Sequence, residues 1–345
     1  MMIRLAREKD SSSIKRIDAI CTQGQAVVYH YQRDDFFLRT RQYARSAVYV
    51  AEIDGAVVGC VSASIKTVRY NGQLANIVYF YDIRVDPGQR RKGIASALYR
   101  ESALHLRKEG IQYGFIYILG SNKKSLRFVK ALGVSKMASF RVYFLPAIKT
   151  DQQVNCTTQG KDFELLCAGV EEKALHYDLS EERCFIRNYE SPPEDSPYRG
   201  TFTLPEVPGL QGSLWDSTLL STKVVDRVSL LLGAASLLPS PMKEILRIPA
   251  IPERGTILRT HHLFDLICDD QNRPKADQLI AAVCSQAARE GGRLVMCHLD
   301  TRDPLCDIVK KHSRYSIEGA ILMRDLMTGA PLPPLKTAYL DVRDF

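Results

Sequence analysis

The most regular pattern of apolar and polar residues predicts a strand followed directly by a long helix. Residues 78–85 are mostly aromatic or β-branched, and their alternate positions suit the two faces of a half-buried strand. Pro87 and Gly88 end this strand, because proline cannot donate to a sheet ladder and glycine tolerates turn dihedrals. From Ile94, apolar residues recur every three or four positions with cations on the opposite face, which predicts an amphipathic helix that ends at Gly110.

The same patterns predict the other elements of the first half of the chain. Asp54-Gly55 between two apolar runs indicates a hairpin. An apolar run at residues 113–119 follows the long helix, so it is expected to complete a right-handed strand-helix-strand crossover. Residues 21–46 show no regular pattern. The remaining predictions are a strand at residues 3–6, a helix across 14–20, strands at 48–53 and 56–63, a helix across 122–133 and a strand at 141–145.

A polar stretch at residues 149–162 reads as a linker, and the order of elements then partly repeats. Because a chain of 345 residues is long enough for roughly two domains, we predict a first domain at 1–148 and a second at 163–345. The elements predicted in the second half are strands at 163–166, 213–218, 223–225, 257–267, 294–298, 315–323 and 338–342, and helices at 171–179, 275–289 and 303–312.

The turn between the strand and the long helix is the main candidate for binding chemistry. Gly93 and Ala95 keep side chains away from a helix N-terminus, where free backbone N–H groups and the helix dipole favour an anion. Arg90, Arg91 and Lys92 lie beside the same turn. These features fit a cradle for a pyrophosphate, and the alternative is a solvated basic loop in front of an ordinary helix.

Arg90-Arg91-Lys92-Gly93-Ile94-Ala95 resembles the R/Q-x-x-G-x-G/A acetyl-CoA motif of the GNAT superfamily of N-acetyltransferases, and Ile83-Arg84-Val85-Asp86-Pro87 resembles the strand end that precedes it there. Other phosphate loops fit less well, since the sequence has neither G-x-x-x-x-G-K-[ST] nor a G-x-G-x-x-G after a strand. The resemblance implies a GNAT fold of the α/β (α+β) class, with a mixed central sheet, splayed strands and flanking helices. It also implies acetyl-CoA as cosubstrate and an amine as acceptor.

The family's coenzyme contacts correspond to two further groups of residues in this sequence. The resemblance implies contacts at Asn122 and Ser125, and a pantetheine arm that lies in the split between the two central strands. The alternative role of Asn122 is to cap a helix. The resemblance-based coenzyme residues are Ile83, Arg84, Val85, Arg90, Arg91, Lys92, Gly93, Ile94, Ala95, Asn122 and Ser125.

The second half resembles a degenerate second GNAT copy, and the whole chain is similar to the HOOKLESS-type N-acetyltransferases of plants. This similarity depends on short motifs such as Gly200-Thr201-Phe202 and the final Leu340-Asp341-Val342-Arg343-Asp344-Phe345. In place of the coenzyme loop the second half has Asp269 and Asp270 near a helix start, which would repel a pyrophosphate. We therefore expect only the first domain to bind coenzyme.

Composition excludes several other classes of protein. With 45% apolar and 25% charged residues the chain is an ordinary globular protein, and its net charge of +8 is spread out, so no nucleic-acid partner is expected. Nine scattered cysteines indicate neither a disulfide framework nor a metal site. The absence of an apolar signal core or membrane span predicts a cytoplasmic or nuclear protein that does not bind membranes. We expect a monomer or homodimer.

Asp82 is the first candidate for the general base, because aromatic neighbours on the central strand could raise its pKa toward neutrality. Its alternative role is structural, in a pair with Arg84. Glu52 and His30 are weaker candidates for the base. For the acid, many family members have a tyrosine where this sequence has Phe128-Val129, which leaves water, Ser125 or a tyrosine elsewhere, such as Tyr143.

The function predicted from these features is transfer of an acetyl group from acetyl-CoA to a primary amine of a small molecule, amino acid or peptide, by direct attack in a ternary complex. The alternative function is that of a non-enzymatic regulatory protein that binds acetyl-CoA. The missing tyrosine and the degenerate second half favour this alternative.

Overall fold

The fold is described from a computed structural model of the full chain. It describes residues 1–70, 73–151, 154–157, 197–204, 207, 209–236, 239, 242, 251–268, 271–335 and 337–345. The strand predicted at 163–166 and the helix predicted at 171–179 lie outside the described residues, as do Asp269 and Asp270.

The described residues form fifteen strands and six α-helices. The strands are β1 Met2–Leu5, β2 Val27–Gln32, β3 Arg45–Ile53, β4 Ala56–Tyr70, β5 Gln73–Val85, β6 Tyr113–Leu119, β7 Ser135–Pro146, β8 Asn155–Thr157, β9 Tyr198–Thr203, β10 Gln211–Asp216, β11 Thr222–Val228, β12 Ile257–Leu258, β13 Thr260–Ile267, β14 Leu294–Asp300 and β15 Tyr315–Asp325. The helices are α1 Ser11–Ile20, α2 Ile94–Lys108, α3 Lys123–Lys130, α4 Leu230–Ser236, α5 Ala276–Arg289 and α6 Cys306–His312.

Twelve of the strands form one mixed sheet with the order β1-β3-β4-β5-β6-β15-β7-β14-β13-β10-β9-β8. Among the described strands, β5 with β6 and β13 with β14 are the parallel pairs, and the other pairs are antiparallel. The sheet therefore shows the same sequence of parallel and antiparallel pairs when it is followed from either edge to its centre. Strand β15, from the end of the chain, lies between β6 and β7.

The predicted elements of the first half are present, but three strands are longer than predicted: β4 ends at Tyr70, β5 begins at Gln73 and β7 begins at Ser135. The turn Asp54-Gly55 joins β3 to β4 with φ values of 50° and 78°, as the hairpin signal predicts. Helix α2 packs through Ile94 and Leu98 on the sheet face that carries Val78 and Phe80. This packing fixes the start of α2 at the end of β5, where the candidate loop lies.

Residues 21–46 contain a strand that the sequence pattern does not predict. Strand β2 pairs with β11, and β11 pairs with β12, in a separate three-stranded sheet. The strand predicted at 257–267 is divided accordingly, since β12 belongs to this small sheet and β13 to the large one.

The strand predicted at 338–342 is wrong. The chain there has no ladder pairing among the described residues and ends in a single 3-10 turn, Val342–Asp344. Side chains hold this segment instead: Lys66 Nζ lies 2.7 Å from each carboxylate oxygen of Asp344, and the Tyr79 hydroxyl donates to the Asp344 carbonyl at 2.8 Å. The alternating apolar pattern therefore reflects burial against the large sheet and not membership of it.

None of the described helices combines the length and the apolar composition that crossing a membrane requires.

Candidate active site

The loop between β5 and α2 presents backbone N–H groups to solvent. Arg91 and Gly93 both have positive φ, 66° and 76°, and residues 90–93 are exposed. Gly93 caps α2, and the Ala97 N–H donates to the Gly93 carbonyl at 3.0 Å. The amides of residues 94–96 form the first turn of the helix, where they have no intrahelical acceptor. Alternating positive and negative φ turns successive N–H groups toward one concave surface, which suits an anion.

The cations of this loop hold it against the end of β5. Arg90 donates through Nε to the Val85 carbonyl at 3.2 Å, and its terminal nitrogen lies 3.2 Å from Cys21 Sγ. Lys92 Nζ donates to the Gln89 side chain at 2.8 Å. The loop is therefore positively charged, and hydrogen bonds at its two ends fix its conformation.

The two central strands separate after only three paired residues. Strand β5 pairs with β6 from Ile77–Tyr113 to Tyr79–Phe115. Beyond that point, β5 continues to Val85 while paired with β4, and β6 continues to Leu119 while paired with β15. The facing edges of the two strands are thus unpaired over their last residues. The split predicted between the central strands is present, and it points toward the loop at the start of α2.

A bulge marks the point where β5 turns away from β6. The pairing of β4 with β5 shifts register between Cys60 and Ser62, opposite Arg84 and Tyr81. Asp82 lies inside this bulge with a φ of 48°. Few non-glycine residues adopt positive φ, and aspartate is among those that tolerate it. The residue type at position 82 therefore suits the backbone conformation of the bulge.

Aromatic rings fill one side of the split. Tyr79 stacks on Tyr81 at 4.8 Å and on Phe115 at 5.1 Å between ring centroids, and it meets Tyr117 at 5.5 Å. The hydroxyl of Tyr81 lies 2.9 Å from Ser64 Oγ. Hydrogen bonds at their hydroxyls and stacking between their rings therefore fix these side chains in place.

Three arginines surround Asp82. Its carboxylate oxygens lie 3.0 Å from Arg33, 3.2 Å from Arg84 and 3.7 Å from Arg39. Asp18 shares two of these arginines, at 3.0 Å from Arg33 and 2.8 Å from Arg84. We call these five residues, Asp18, Arg33, Arg39, Asp82 and Arg84, the arginine cluster. The predicted pair between Asp82 and Arg84 is confirmed.

The expected rise in the pKa of Asp82 is wrong. Burial alone would raise this pKa, but attraction to Arg33, Arg39 and Arg84 outweighs burial and holds the pKa of the Asp82 carboxyl well below its usual range. Asp82 is therefore ionised at neutral pH and binds a proton weakly. The sequence carries no signal for this result, because Arg33 and Arg39 lie about fifty residues away in a segment without a regular pattern.

The other two candidates for the base lie apart from the arginine cluster. His30 pairs with Asp226 at 2.7 Å, and on β2 it points to the opposite face from Tyr31, whose ring contacts Arg33. Glu52 is bound to Arg4 at 2.7 Å near the edge strand β1. Neither of them shares a contact with Asp82.

Of the candidate acids, Tyr143 lies apart from the split and Ser125 lies near its end. Phe128 packs in the apolar core beneath α3. Tyr143 belongs to a core cluster made with residues of the second half, and burial raises the pKa of its hydroxyl. Ser125 lies in the first turn of α3, close to the end of β6.

Asn122 is the N-cap of α3, as its alternative role predicts. Its side-chain oxygen accepts the Ser125 N–H at 3.1 Å. We expect Asn122→Ala to lower the free energy of unfolding by about 1 kcal/mol, since one helix N–H loses its partner. Asn122→Asp keeps an acceptor and serves as the control in urea denaturation. Equal stability of the alanine variant and the wild type would contradict the capping role.

The second half repeats the bulge and the split, and its described residues start the following helix differently. The pairing of β13 with β14 ends at Leu263 and Cys297, and Asp265 has a φ of 46° beside a register shift in β10. A 3-10 turn, Arg273–Lys275, precedes α5, and Asp277 in the first turn of α5 is bound by His312 at 2.8 Å. This helix start therefore carries an acid where α2 has small residues.

Residues 13–134 match the family model described as the acetyltransferase (GNAT) family. The matched residues run from α1 through α3 and include the loop, the bulge and the split. This part of the chain is therefore similar to the acetyltransferase domains of the GNAT family. Among curated proteins, no sequence matches the chain.

Solved structures resemble the chain over nearly its whole length. N-myristoyltransferase from Saccharomyces cerevisiae with bound myristoyl-CoA has a TM-score of 0.60 at 10% identity, over 96% of this chain and 80% of that chain. The GCN5-related N-acetyltransferase from Anabaena variabilis has a TM-score of 0.52 at 12% identity, over 94% of this chain and 73% of that chain. At such low identities the likeness shows the fold alone, and it confirms the predicted GNAT-like fold class.

Proposed function

We propose that the protein is an N-acetyltransferase that moves an acetyl group from acetyl-CoA to a primary amine in a ternary complex. The observation that carries the proposal is the alignment of two features in the GNAT domain: an open split between β5 and β6, and an N–H-rich, cationic turn at its end. A diphosphate suits the turn, and an extended pantetheine arm suits the unpaired strand edges.

In this proposal the chain's own residues bind and orient the reactants. Amides of residues 91–96 hold the diphosphate, with the cations Arg90, Arg91 and Lys92 around it. Residues 83–85 offer backbone groups to the pantetheine arm, and Asn122 and Ser125 lie on its other side at the start of α3. A strand N–H near the bulge polarises the thioester carbonyl, as pre-oriented donors do in acyl transfer.

We assign Asp82 a positioning role and not that of the base, since its pKa lies well below the usual range. Its charge fixes Arg33, Arg39 and Arg84 beside the split. An amine acceptor can then lose its proton to water, because the proposal requires only that the neutral amine reach the thioester. The low pKa of Asp82 and the core position of Phe128 are what favour the alternative of a non-enzymatic acetyl-CoA-binding protein.

We also propose that residues 163–345 form a second, degenerate GNAT-like domain after a linker at 149–162. The sequence of parallel and antiparallel pairs, which is the same from both edges of the sheet, and the matching bulges at Asp82 and Asp265 support this division. We also propose that the chain is related to the plant HOOKLESS-type acetyltransferases. This part of the proposal is supported by the short sequence motifs alone.

We expect a strong preference for short acyl groups. Tyr79, Tyr81, Phe115 and Tyr117 fill the space next to the split, and Tyr79 and Tyr81 are held by hydrogen bonds to Asp344 and Ser64. Forcing extra methylenes into such a packed region costs about 1–3 kcal/mol, so butyryl-CoA and myristoyl-CoA should bind about tenfold or more weakly than acetyl-CoA. Competition calorimetry measures this, and equal affinity for myristoyl-CoA would contradict it.

Two measurements together test the proposed function. Calorimetric titration with acetyl-CoA tests binding, and release of free CoA thiol in the presence of a panel of primary amines tests transfer. Binding with amine-dependent thiol release supports the acetyltransferase. Binding without thiol release for any amine favours the regulatory alternative, and the absence of binding contradicts both.

A further inference from the structure

Lys223 lies on the small sheet and faces the arginine cluster, and the proposed coenzyme site gives it no role. It lies on β11 directly opposite Tyr31 of β2. Directly opposed residues of antiparallel strands point to the same face. The Tyr31 ring lies 5.2 Å from the guanidinium carbon of Arg33 and 5.8 Å from that of Arg84. Lys223 therefore faces the cleft between the small sheet and the large one.

The cleft around Lys223 has more positive than negative charge. In the arginine cluster, three guanidinium groups share the two carboxylates of Asp18 and Asp82, and Arg39 has the longest of these contacts at 3.7 Å. Within the described part of the chain, no carboxylate lies within ion-pair distance of the half-buried Lys223. Partly buried cations are normally paired, so the described residues leave the Lys223 ammonium available to an anionic group of a ligand.

Neighbouring titratable groups do not supply the missing negative charge. The groups that act on Lys223 from the packed elements are Arg39, Tyr31, His262 and His298. Burial, followed by repulsion from Arg39, lowers the pKa of Lys223 to about 8. Burial lowers the pKa of His298 to about 3 and that of His262 well below its usual range, so both imidazoles are neutral at pH 7.

Lys223 is also close to the acceptor side of the split. The Arg39 guanidinium lies 4.5 Å above the Tyr81 ring, next to the bulge at Asp82. His298 stacks on Phe345 at 3.8 Å, and the same Phe345 ring lies 4.8 Å from Tyr117 of β6. Groups that act on Lys223 thus touch the aromatic rings that line the split.

We propose that the amine acceptor carries a carboxylate, as an amino acid does, and that Lys223 binds this carboxylate beside Arg39. This inference rests on the proposed acetyltransferase function and narrows its acceptor. The carboxylate completes the charge balance of the cleft, and it orients the amine toward the thioester in the split.

The test compares L-amino acids with their C-terminal amides as acceptors in a thiol-release assay with acetyl-CoA. The proteins are the wild type, Lys223→Met, Lys223→Arg and, as control, Lys310→Met, which changes an exposed lysine of α6. We expect the wild type and the control to favour the acids by about tenfold or more in kcat/KM calculated for the neutral-amine form of each acceptor, the typical effect of one charge-assisted hydrogen bond. Lys223→Met should lose this preference through KM, and Lys223→Arg should keep it.

A second arm raises the pH from about 7 to about 9.5, above the pKa of Lys223. The wild type should lose its preference for acids as Lys223 loses its proton, while Lys223→Arg should keep it because arginine stays charged. An unchanged preference in a folded Lys223→Met protein, or a wild type that favours amides, overturns the inference and leaves the acetyltransferase intact. Absence of CoA release with every acceptor contradicts the proposed function and this inference with it.

Discussion

Gly93→Glu is expected to abolish acetyl-CoA binding while leaving the fold intact. The substitution places a carboxylate and a longer side chain at the cap of α2, in the concave surface where the diphosphate is proposed to lie. Each charge-assisted hydrogen bond to the diphosphate is worth about 1.5–3 kcal/mol. Loss of two or more of them, together with charge repulsion, should raise the Kd for acetyl-CoA by more than about a hundredfold in calorimetry.

Gly110→Glu is the matched control for this variant. Gly110 follows the other end of α2, has a φ of 84°, and like Gly93 borders open space on the side where a Cβ would lie. In both variants a non-glycine residue must adopt a left-handed backbone conformation, which costs about 1–2 kcal/mol, and both variants add one negative charge. The helix dipole favours that charge at the N-terminus, so Gly93→Glu should be at least as stable as Gly110→Glu. Equal acetyl-CoA affinity in the two variants would remove the main support for the site.

Asp82→Asn is expected to be the most destabilising single change at the site. It keeps the shape of the side chain and tolerates the positive φ, but it leaves Arg33, Arg39 and Arg84 with only the Asp18 carboxylate. Removal of one partner from a buried ion pair costs about 3–5 kcal/mol. Urea denaturation should therefore show a loss of this size in the free energy of unfolding.

Two further variants separate charge from backbone effects. Asp54→Asn also changes an aspartate with positive φ, 50° in an exposed turn, and it should have little effect. Adding Arg39→Gln to Asp82→Asn should restore part of the lost stability, since Asp82 is the carboxylate in contact with Arg39 among the described residues. Full stability of Asp82→Asn would show that the arginines do not depend on this charge.

The pH dependence of this effect follows from the direction of the pKa shift. A carboxyl whose pKa is lowered on folding contributes stability above its unfolded pKa of about 3.9, and this is lost as the pH falls through the folded value. Because the pKa of Asp82 is lowered, the difference in stability between wild type and Asp82→Asn should stay constant between about pH 5 and pH 8 and shrink progressively as the pH falls below about 4.

Local sequence patterns predict those parts of the site that depend on neighbouring residues. The turn after β5, the start of α2 and the cap at Asn122 each follow from a few consecutive residues whose backbone preferences agree. Glycine at residue 93 permits its positive φ, and an asparagine three residues before the amide it accepts is a local signal. These elements could therefore be predicted with nearly correct ends.

Other parts of the site depend on contacts between distant residues, and the sequence alone does not predict them. Arg33 and Arg39 follow β2, which pairs with β11 in the small sheet, and they reach Asp82 from there. That pairing joins residues about two hundred positions apart, and β2 has no clear alternation to announce it. The aromatic neighbours of Asp82 suggested a raised pKa, and these distant arginines reverse its direction.

The final segment shows the same limit of a periodic pattern. Residues 338–342 alternate as a strand would, but side chains contact them in place of a neighbouring strand: the Ala338 N–H donates to the Asp300 carboxylate, and Lys66 lies 3.1 Å from Asp341. Burial of alternate residues and ladder pairing usually occur together, and here only the first is present. Lys66 was not predicted because its partner, Asp344, lies nearly three hundred residues away.

The most direct test of the account is a crystal structure of the protein with acetyl-CoA at saturating concentration. We predict that the diphosphate lies within hydrogen-bond distance of the amides of residues 91–96, and that the pantetheine arm lies between β5 and β6 with the thioester beside the bulge at Asp82. A coenzyme bound elsewhere on the protein, or an empty split at saturation, would contradict the central claim.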